Sequence, residues 1–127
     1  MVKLVSVKKR KDFNKVYSRG KNFVARDLVV YVYSNYKKGI RVGITASKKV
    51  GNSPERNRAR RIIREAARNI LSEITGNYDI IFVARQGIKN AKSTQLHKIM
   101  EKSVRKLIFD VEKSKYDRKG RYHEKNK

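Results

Sequence analysis

The segment from Ser53 to Ser72 carries the strongest constraint on the fold, because its apolar residues recur at helical spacing. At about 100° per residue, these side chains fall within one arc of a helix. An apolar arc of this width must pack against another layer of the protein. Ser53 is the predicted N-cap, Pro54 fits the first helical position, and Glu55 lies near the positive end of the helix dipole. The apolar arc contains Ala59, Ile62, Ile63, Ala66, Ala67 and Ile70.

Arginines occupy the side of this predicted helix next to the apolar arc, with Arg56 at the margin and Arg58 pointing well away. Guanidinium groups suit phosphate oxygens, because each can donate two hydrogen bonds at once. The competing interpretation is a solvated face, which typically mixes both signs of charge. Only Glu65 supplies an acid along the body of the helix. The pattern therefore favours a phosphate-binding arginine stripe, made of Asn57, Arg60, Arg61, Arg64 and Arg68.

The charge of the whole chain supports this preference. Lysine and arginine total 34 against 11 acidic residues, for a formal net charge of +23. The hydrophobic fraction of 39% is nevertheless high enough for a folded core. A core beneath so much positive charge indicates a polyanionic partner, with nucleic acid favoured over an anionic membrane.

The composition also excludes several classes of protein. Cysteine is absent, which excludes disulfides and thiolate metal sites. No apolar run is long enough to cross a membrane, and the first residues lack a signal-peptide core. A cytoplasmic location is therefore expected.

The remaining segments predict a small sheet and two further helices. The stretch 23–36 is rich in β-branched and aromatic residues, which is typical of one strand or two short ones, and Lys37–Gly39 is a hairpin signal. The near-continuous apolar run of 78–85 indicates a central strand covered on both faces. Another strand is predicted over 41–47, and helices over 8–18 and from Ser93.

This order of elements predicts an α/β or α+β two-layer sandwich with a small mixed sheet and three main helices. From Lys113 the sequence is polar and has no apolar repeat. We therefore expect one nucleic-acid-binding domain over 1–112 and a basic, disordered tail over 113–127.

Aromatic side chains form a second group of candidates. Phe13 and Tyr17 lie one turn apart on the first helix, and Tyr31 shares a strand face with Val29 and Tyr33. Core packing is the commoner role for such a helical pair. Rings beside basic residues also suit single-stranded nucleic acid, because bases stack on them. The sequence pattern alone leaves both roles open.

No catalytic constellation is visible in the sequence. His97 lies off the apolar stripe of the last helix, His123 lies in the tail, and the acids are scattered. A protein nuclease needs a general base and acid, or carboxylates clustered around metal ions. We therefore expect no catalytic residue and no metal site in this polypeptide.

Four segments in the same order resemble the bacterial ribonuclease P protein subunit. They are KKRKDFNKVYSRGK (8–21), RVGITASKK (41–49), ERNRARRIIRE (55–65) and YDIIFVAR (78–85). The most characteristic motif is the triplet Arg56, Asn57 and Arg58, which here follows SKKVGN. The resemblance covers Val7 to about Phe109 and departs from the usual small or apolar residues at Ser53, Pro54 and Glu55.

This resemblance implies a left-handed parallel crossover, a rare connection, and two RNA-binding surfaces. One binds the catalytic RNA subunit, and a cleft between the first helix and the sheet holds the 5′ leader of precursor tRNA. Mg²⁺ would be held mainly by the RNA subunit and the substrate, with no protein partner and no membrane required. The resemblance assigns Phe13, Tyr17 and Tyr31 to the leader. The RNA-subunit residues, together with Arg68 from the charge pattern, are Lys48, Lys49, Arg56, Asn57, Arg58, Arg60, Arg61, Arg64 and Arg68.

Two alternatives lie outside this assignment. A ribosomal protein or a general RNA chaperone would also be small and strongly basic. A DNA-binding protein ranks lower, because the arginine helix follows a strand rather than the first helix of a helix-turn-helix.

Overall fold

A computed structural model describes the backbone of residues 4–125 and the side chains of residues 4–116. This part of the chain forms five strands, three α-helices and one 3₁₀ helix over Gln86–Asn90. The short first strand and the 3₁₀ helix were not predicted from the sequence. The strands are β1 (Val5–Ser6), β2 (Lys21–Val24), β3 (Leu28–Ser34), β4 (Ile40–Ala46) and β5 (Tyr78–Ala84). The helices are α1 (Arg10–Arg19), α2 (Ser53–Leu71) and α3 (Ser93–Lys125).

The strands form one mixed sheet in the order β1-β4-β5-β3-β2. The central strand is β5, which runs parallel to β4 and antiparallel to β3. All of its residues except Val83 are buried, which confirms the interpretation of its apolar run. The helix α2 connects the parallel neighbours β4 and β5. A parallel crossover is therefore present, and its left-handed sense stays a prediction.

The hairpin predicted at Lys37–Gly39 is wrong. The strands before and after this loop do not pair with each other, because β5 lies between β3 and β4. The loop therefore connects second neighbours, a separation of about 10 Å at the usual strand spacing. The local residues signal a change of direction, but the strand that fills the gap comes much later in the chain.

The two faces of the sheet carry different layers. Alternate residues of the strands, including Val30, Val32, Ile80 and Phe82, are fully buried in the main core with α2 and α3. The opposite face is crossed by α1, whose Val16 is fully buried. The alternation predicted for β3 is confirmed, because its Leu28, Val30 and Val32 are buried and its other residues are only partly covered. These layers form the predicted sandwich.

The start of α2 differs from the prediction by one residue. Asn52, rather than Ser53, is the N-cap. The Asn52 side chain accepts a hydrogen bond from the Glu55 backbone N–H at 3.0 Å, and Glu55 Oε1 accepts one from the Asn52 N–H at 2.9 Å. This reciprocal pair is a capping box, which satisfies two backbone donors at the helix end. The backbone hydrogen bond from Asn52 also lowers the pKa of Glu55, with a smaller contribution from Lys89.

Replacing Asn52 with alanine is expected to lower the free energy of unfolding by about 1 kcal/mol, because one cap acceptor is lost. Ser53→Ala is the matched control, since the Ser53 hydroxyl accepts a hydrogen bond from the Arg56 guanidinium at 3.0 Å and caps no backbone N–H of the helix. Urea unfolding of the two variants measures the difference. Equal losses of stability would argue against Asn52 as the cap.

The last helix confirms the predicted apolar stripe and extends it. Leu96, Met100, Val104, Leu107 and Val111 are buried, with Ile99 and Ile108 partly covered beside them. Just after this stripe, the Glu112 carboxylate accepts a hydrogen bond from the Tyr78 hydroxyl. Burial and this contact raise the pKa of Tyr78 to about 12.

The backbone of α3 stays helical through Lys125, where the sequence predicted disorder from Lys113. Among the described side chains, Val111 is the last buried apolar residue of the helix. Lysine, glutamate and arginine favour a helix even without packing, and Lys115 adds an ion pair with Glu112 at 3.4 Å. The prediction failed because an absent apolar repeat indicates absent packing rather than absent helix. None of the helices in the described residues is long and apolar enough to span a membrane.

Candidate nucleic-acid interface

The arginine stripe lies along the outer side of α2. The apolar arc of α2 is buried as predicted, with Ile62 only partly covered. Asn57, Arg61, Arg64 and Arg68 are exposed, and Arg58 is exposed off the stripe. The side chains therefore present closely spaced guanidinium groups to solvent along successive turns of one helix.

Two of the predicted arginines also hold the fold together. Arg60 Nη2 donates to the carbonyl oxygen of Ala46 at 3.2 Å, and its Nη1 donates to Asn57 Oδ1 at 3.0 Å. Arg56 donates to the Gly51 carbonyl at 3.4 Å and to the Ser53 hydroxyl at 3.0 Å. Both side chains are half-buried as a result. A guanidinium has five N–H donors, so each keeps donors for a phosphate while bracing the start of α2.

Lys48 and Lys49 lie in the turn between β4 and α2, and both are exposed. The turn is fixed by Val50, which is fully buried and whose N–H donates to the Ser47 carbonyl at 3.0 Å. Because Arg60 binds the last residue of β4, these lysines lie at the same end of the molecule as the start of the stripe. The two predicted lysines thus adjoin the N-terminal end of the stripe, and Arg58 points away from it.

The predicted cleft residues come together on the other face of the sheet. Phe13 of α1 lies over Gly43, where a β-carbon in place of the glycine hydrogen would come within 2.7 Å of the Phe13 ring and 3.2 Å of Ile81. A larger residue there would displace the Phe13 ring. Strand register aligns Gly43 with Ile81 and Ile81 with Tyr31. Phe13 is partly buried on this row, as expected for a ring at the cleft floor.

The rings of Tyr17 and Tyr31 contact each other beside this row. Their centroids are 5.0 Å apart with an interplanar angle of 76°, an edge-to-face arrangement. Tyr17 is 39% exposed, while Tyr31 is half-buried. Burial raises the pKa of Tyr17, partly offset by a hydrogen bond with Thr45, so the neutral hydroxyl persists at physiological pH. One ring therefore remains open to a ligand while the other supports it.

The next row of the sheet extends the cleft beyond the residues that the sequence singled out. Val29, Val83 and Thr45 are aligned by strand register and are all half-buried. Val29 and Val83 continue the apolar floor of the cleft beyond Tyr31, and Thr45 adds a hydroxyl at one side. The sequence signals for this surface are Val29, which shares a strand face with Tyr31, and the small residues Gly43 and Thr45 that alternate along β4.

A buried ion network missed by the sequence interpretation fixes α1 on the sheet. Arg41 Nε and Nη2 donate to the two carboxylate oxygens of Asp79 at 2.7 and 2.6 Å. Arg41 Nη1 lies 3.6 Å from Asp12 Oδ2 on α1. The hydrogen bond with Asp79 raises the pKa of Arg41, and the charge of Asp12 acts in the same direction. An aspartate within the apolar run of β5 was the available signal.

The described side chains offer no visible catalytic arrangement. No three histidine or acidic residues within the described part of the chain converge as a metal site. Asp12 and Asp79 are both engaged by Arg41, and His97 lies half-buried on α3. The arrangement can bind and orient a polyanion through guanidinium, ammonium and aromatic groups.

Comparison with known proteins identifies the family. Residues 1–108 match the family model described as Ribonuclease P. The ribonuclease P protein component of Clostridioides difficile (strain 630) is 46% identical over 103 residues, which cover 80% of this chain and 87% of that protein. That of Caldanaerobacter subterraneus subsp. tengcongensis is 37% identical over 113 residues, covering 89% and 97%.

The fold agrees with the same family. The structure of the Staphylococcus aureus RNase P protein matches with a TM-score of 0.68 and 34% sequence identity, covering 86% of this chain and 96% of that one. The RNase P protein of Thermotoga maritima, at 24% identity and a TM-score of 0.65, shares the fold. From the family match, the close relatives and the mixed sheet with three helices, the chain belongs to the bacterial ribonuclease P protein family.

Proposed function

We propose that this chain binds the ribonuclease P RNA through the arginine stripe and the 5′ leader of precursor tRNA through the cleft of Phe13, Tyr17 and Tyr31. The family role is the processing of tRNA 5′ leaders together with an RNA subunit, and the holoenzyme is an endoribonuclease whose RNA performs catalysis. The observation that carries the assignment is the placement of the two surfaces. The stripe belongs to the helix on one face of the sheet and the cleft lies on the other, so two RNAs can bind together.

The chemistry of each surface supports its assigned partner. Exposed arginines with Glu65 as the single acid beside them suit the dense phosphates of a folded RNA. Asn57 and Arg60 continue the stripe toward the start of α2, where Lys48, Lys49 and Arg56 adjoin it, and Arg58 adds a cation on the neighbouring side of the helix. In the cleft, the open ring of Tyr17 suits an unpaired base, because stacking tolerates any base sequence. The leader is the single-stranded part of the substrate.

Among side chains 4–116, no group of acidic residues or histidines fits Mg²⁺, and the buried carboxylates of Asp12 and Asp79 are paired with Arg41. We place the Mg²⁺ of the reaction on RNA phosphates, and the protein contributes binding and charge screening. This role requires no membrane and no further protein partner, and it places the chain in the cytoplasm with its tRNA substrate.

Reconstitution with ribonuclease P RNA and precursor tRNA tests the proposal. The protein alone should leave precursor tRNA intact, and the RNA alone should cleave slowly and only at high Mg²⁺. The two together should cleave at low Mg²⁺. Cleavage at the mature 5′ end by nuclease-free protein alone, or no effect of the protein on the RNA, would contradict the assignment.

Sequencing of the RNA that co-purifies with the chain separates this function from a ribosomal or chaperone role. We expect one dominant structured RNA, the ribonuclease P RNA. A predominance of ribosomal RNA would favour the alternative.

A further inference from the structure

A second basic and aromatic surface lies on the other flank of α1. Two adjoining cavities of about 360 and 540 Å³ share Tyr33 and Tyr36 in their linings. Both volumes fall within the range of small-ligand sites. We call this region the Tyr36 surface; its lining cations are Lys15, Arg19, Lys21, Lys37, Lys38, Arg41 and Lys115.

The geometry of α1 separates this surface from the cleft yet keeps the two adjacent. Residues two apart on a helix point about 160° away from each other. Tyr17 therefore lies on one flank of α1, while Lys15 and Arg19 lie on the opposite flank. On the sheet below, Tyr33 follows Tyr31 on the same face at a spacing of about 7 Å. A single-stranded RNA that leaves the cleft and passes around the end of α1 would next meet the Tyr36 surface.

The electrostatics of the Tyr36 surface favour an anion. Its lining includes Asp12 and Asp79, but both carboxylates are engaged by Arg41. Of the seven lining cations, Arg41 is paired with these two aspartates and Lys115 with Glu112 at 3.4 Å. The other five take part in no ion pair among the described side chains. The surface therefore keeps a net positive charge, which suits phosphates spaced along a single strand.

The loop that carries Tyr36 is held in place by side-chain hydrogen bonds. Asn35 Nδ2 donates to Asp79 Oδ1 at 2.7 Å and to the Gly39 carbonyl at 2.8 Å. The Gly39 N–H donates to Asn77 Oδ1 at 3.0 Å, and the Lys38 N–H donates to Asn35 Oδ1 at 3.2 Å. This network connects the loop to the same aspartate that anchors α1 through Arg41.

Tyr36 itself is an unusual residue within this fixed loop. Its φ is 70°, in the left-handed region that a bulky residue rarely adopts, and it is 76% exposed. Such backbone strain persists only where the surrounding structure imposes it, and it clusters at functional sites. The outcome is a ring held out into solvent between two lysine-lined cavities.

We propose that the Tyr36 surface binds the leader of precursor tRNA upstream of the nucleotides in the cleft, by stacking a base on Tyr36 and pairing phosphates with Lys37 and Lys38. The inference rests on the proposed function, because it extends the leader site. It predicts that a longer leader binds more tightly, up to the length that reaches this surface.

A leader-length series measured with holoenzyme tests the extension. For the unmodified protein, affinity should rise with leader length in two stages, first through the cleft and then through the Tyr36 surface. Tyr36→Ala keeps the β-carbon and the backbone strain, and it should remove the second stage, a loss of roughly five-fold to a hundred-fold for long leaders only. Tyr36→Phe should restore it. Lys37→Ala with Lys38→Ala should lower the salt slope for long leaders by roughly 0.7 per contact.

Tyr116→Ala is the matched control, since Tyr116 is also 76% exposed but lies outside the lining of both cavities. It should leave all affinities unchanged. The inference is overturned if Tyr36→Ala leaves the affinity for long leaders unchanged. It is also overturned if the variant lowers the affinity for every leader length and for mature tRNA equally, or lowers the affinity for the RNA subunit instead. An unchanged short-leader affinity in Tyr17→Ala would instead overturn the cleft assignment, so the two failures are distinguishable.

Discussion

Replacement of Arg61, Arg64 and Arg68 with alanine is expected to weaken binding of the ribonuclease P RNA about a thousand-fold. Each lost hydrogen bond to a charged phosphate contributes roughly 1.5 kcal/mol or more, and every 1.4 kcal/mol is tenfold in affinity. The slope of log K against log salt should fall by about two to three units, since each contact contributes roughly 0.7–0.9. Filter binding across a salt series measures both quantities.

The choice of arginines follows from the contacts within α2. All three are exposed, so their removal should change the free energy of unfolding by only about 0.5 kcal/mol each. Arg60 is a poorer choice, because its bond to the Ala46 carbonyl would couple lost binding to lost stability.

Lys98, Lys102 and Lys113 on α3 provide the matched control. They are also exposed, so their replacement removes the same charge from another surface. Equal effects of the two triple variants would mean that net charge alone binds the RNA, and the stripe would then be only a solvated face.

Tyr17→Ala should weaken holoenzyme binding to precursor tRNA by about 1–3 kcal/mol, the contribution of one base stacked on a ring. Mature tRNA lacks the leader, so its affinity should stay the same. Equilibrium binding of both tRNAs measures the difference. Tyr17→Phe should keep most of the affinity, because the ring rather than the hydroxyl supplies the stacking face.

Protein stability must be followed beside this measurement. Tyr17 also packs edge to face on Tyr31, and such pairs contribute about 0.5–1.5 kcal/mol. A modest drop in melting temperature is therefore expected. Equal losses of affinity for precursor and mature tRNA would assign Tyr17 to the core rather than to the leader.

Local patterns in the sequence were enough to predict most of the fold. The apolar arc of α2, the alternation of β3 and the buried run of β5 are each local patterns. In each, the spacing of the apolar side chains along the chain indicates which side of the element packs against the core. The pairing of strands was harder, because the order depends on contacts between distant segments. The loop at Lys37–Gly39 resembles a hairpin turn locally, and only the later insertion of β5 shows that it is not one.

The sequence indicated the cations and aromatic rings of the candidate site, but not the contacts that hold these side chains in place. A helical wheel gives the direction of Arg60, but not the presence of the Ala46 carbonyl within its reach. The Arg41–Asp79 pair likewise joins residues 38 positions apart in the chain. Such contacts depend on register between strands, which no local pattern contains. The departure at Glu55 now has a structural explanation, since its carboxylate caps α2 at Asn52.

The most direct test of two separate RNA surfaces measures both partners with both variants. The affinities of the RNA subunit for the protein, and of precursor tRNA for RNA-saturated holoenzyme, are compared for Tyr17→Ala and the Arg61/Arg64/Arg68 variant. We predict that Tyr17→Ala loses affinity for precursor tRNA alone and that the arginine variant loses affinity for the RNA subunit alone. Loss of both affinities in both folded variants would contradict the separation of the stripe from the cleft.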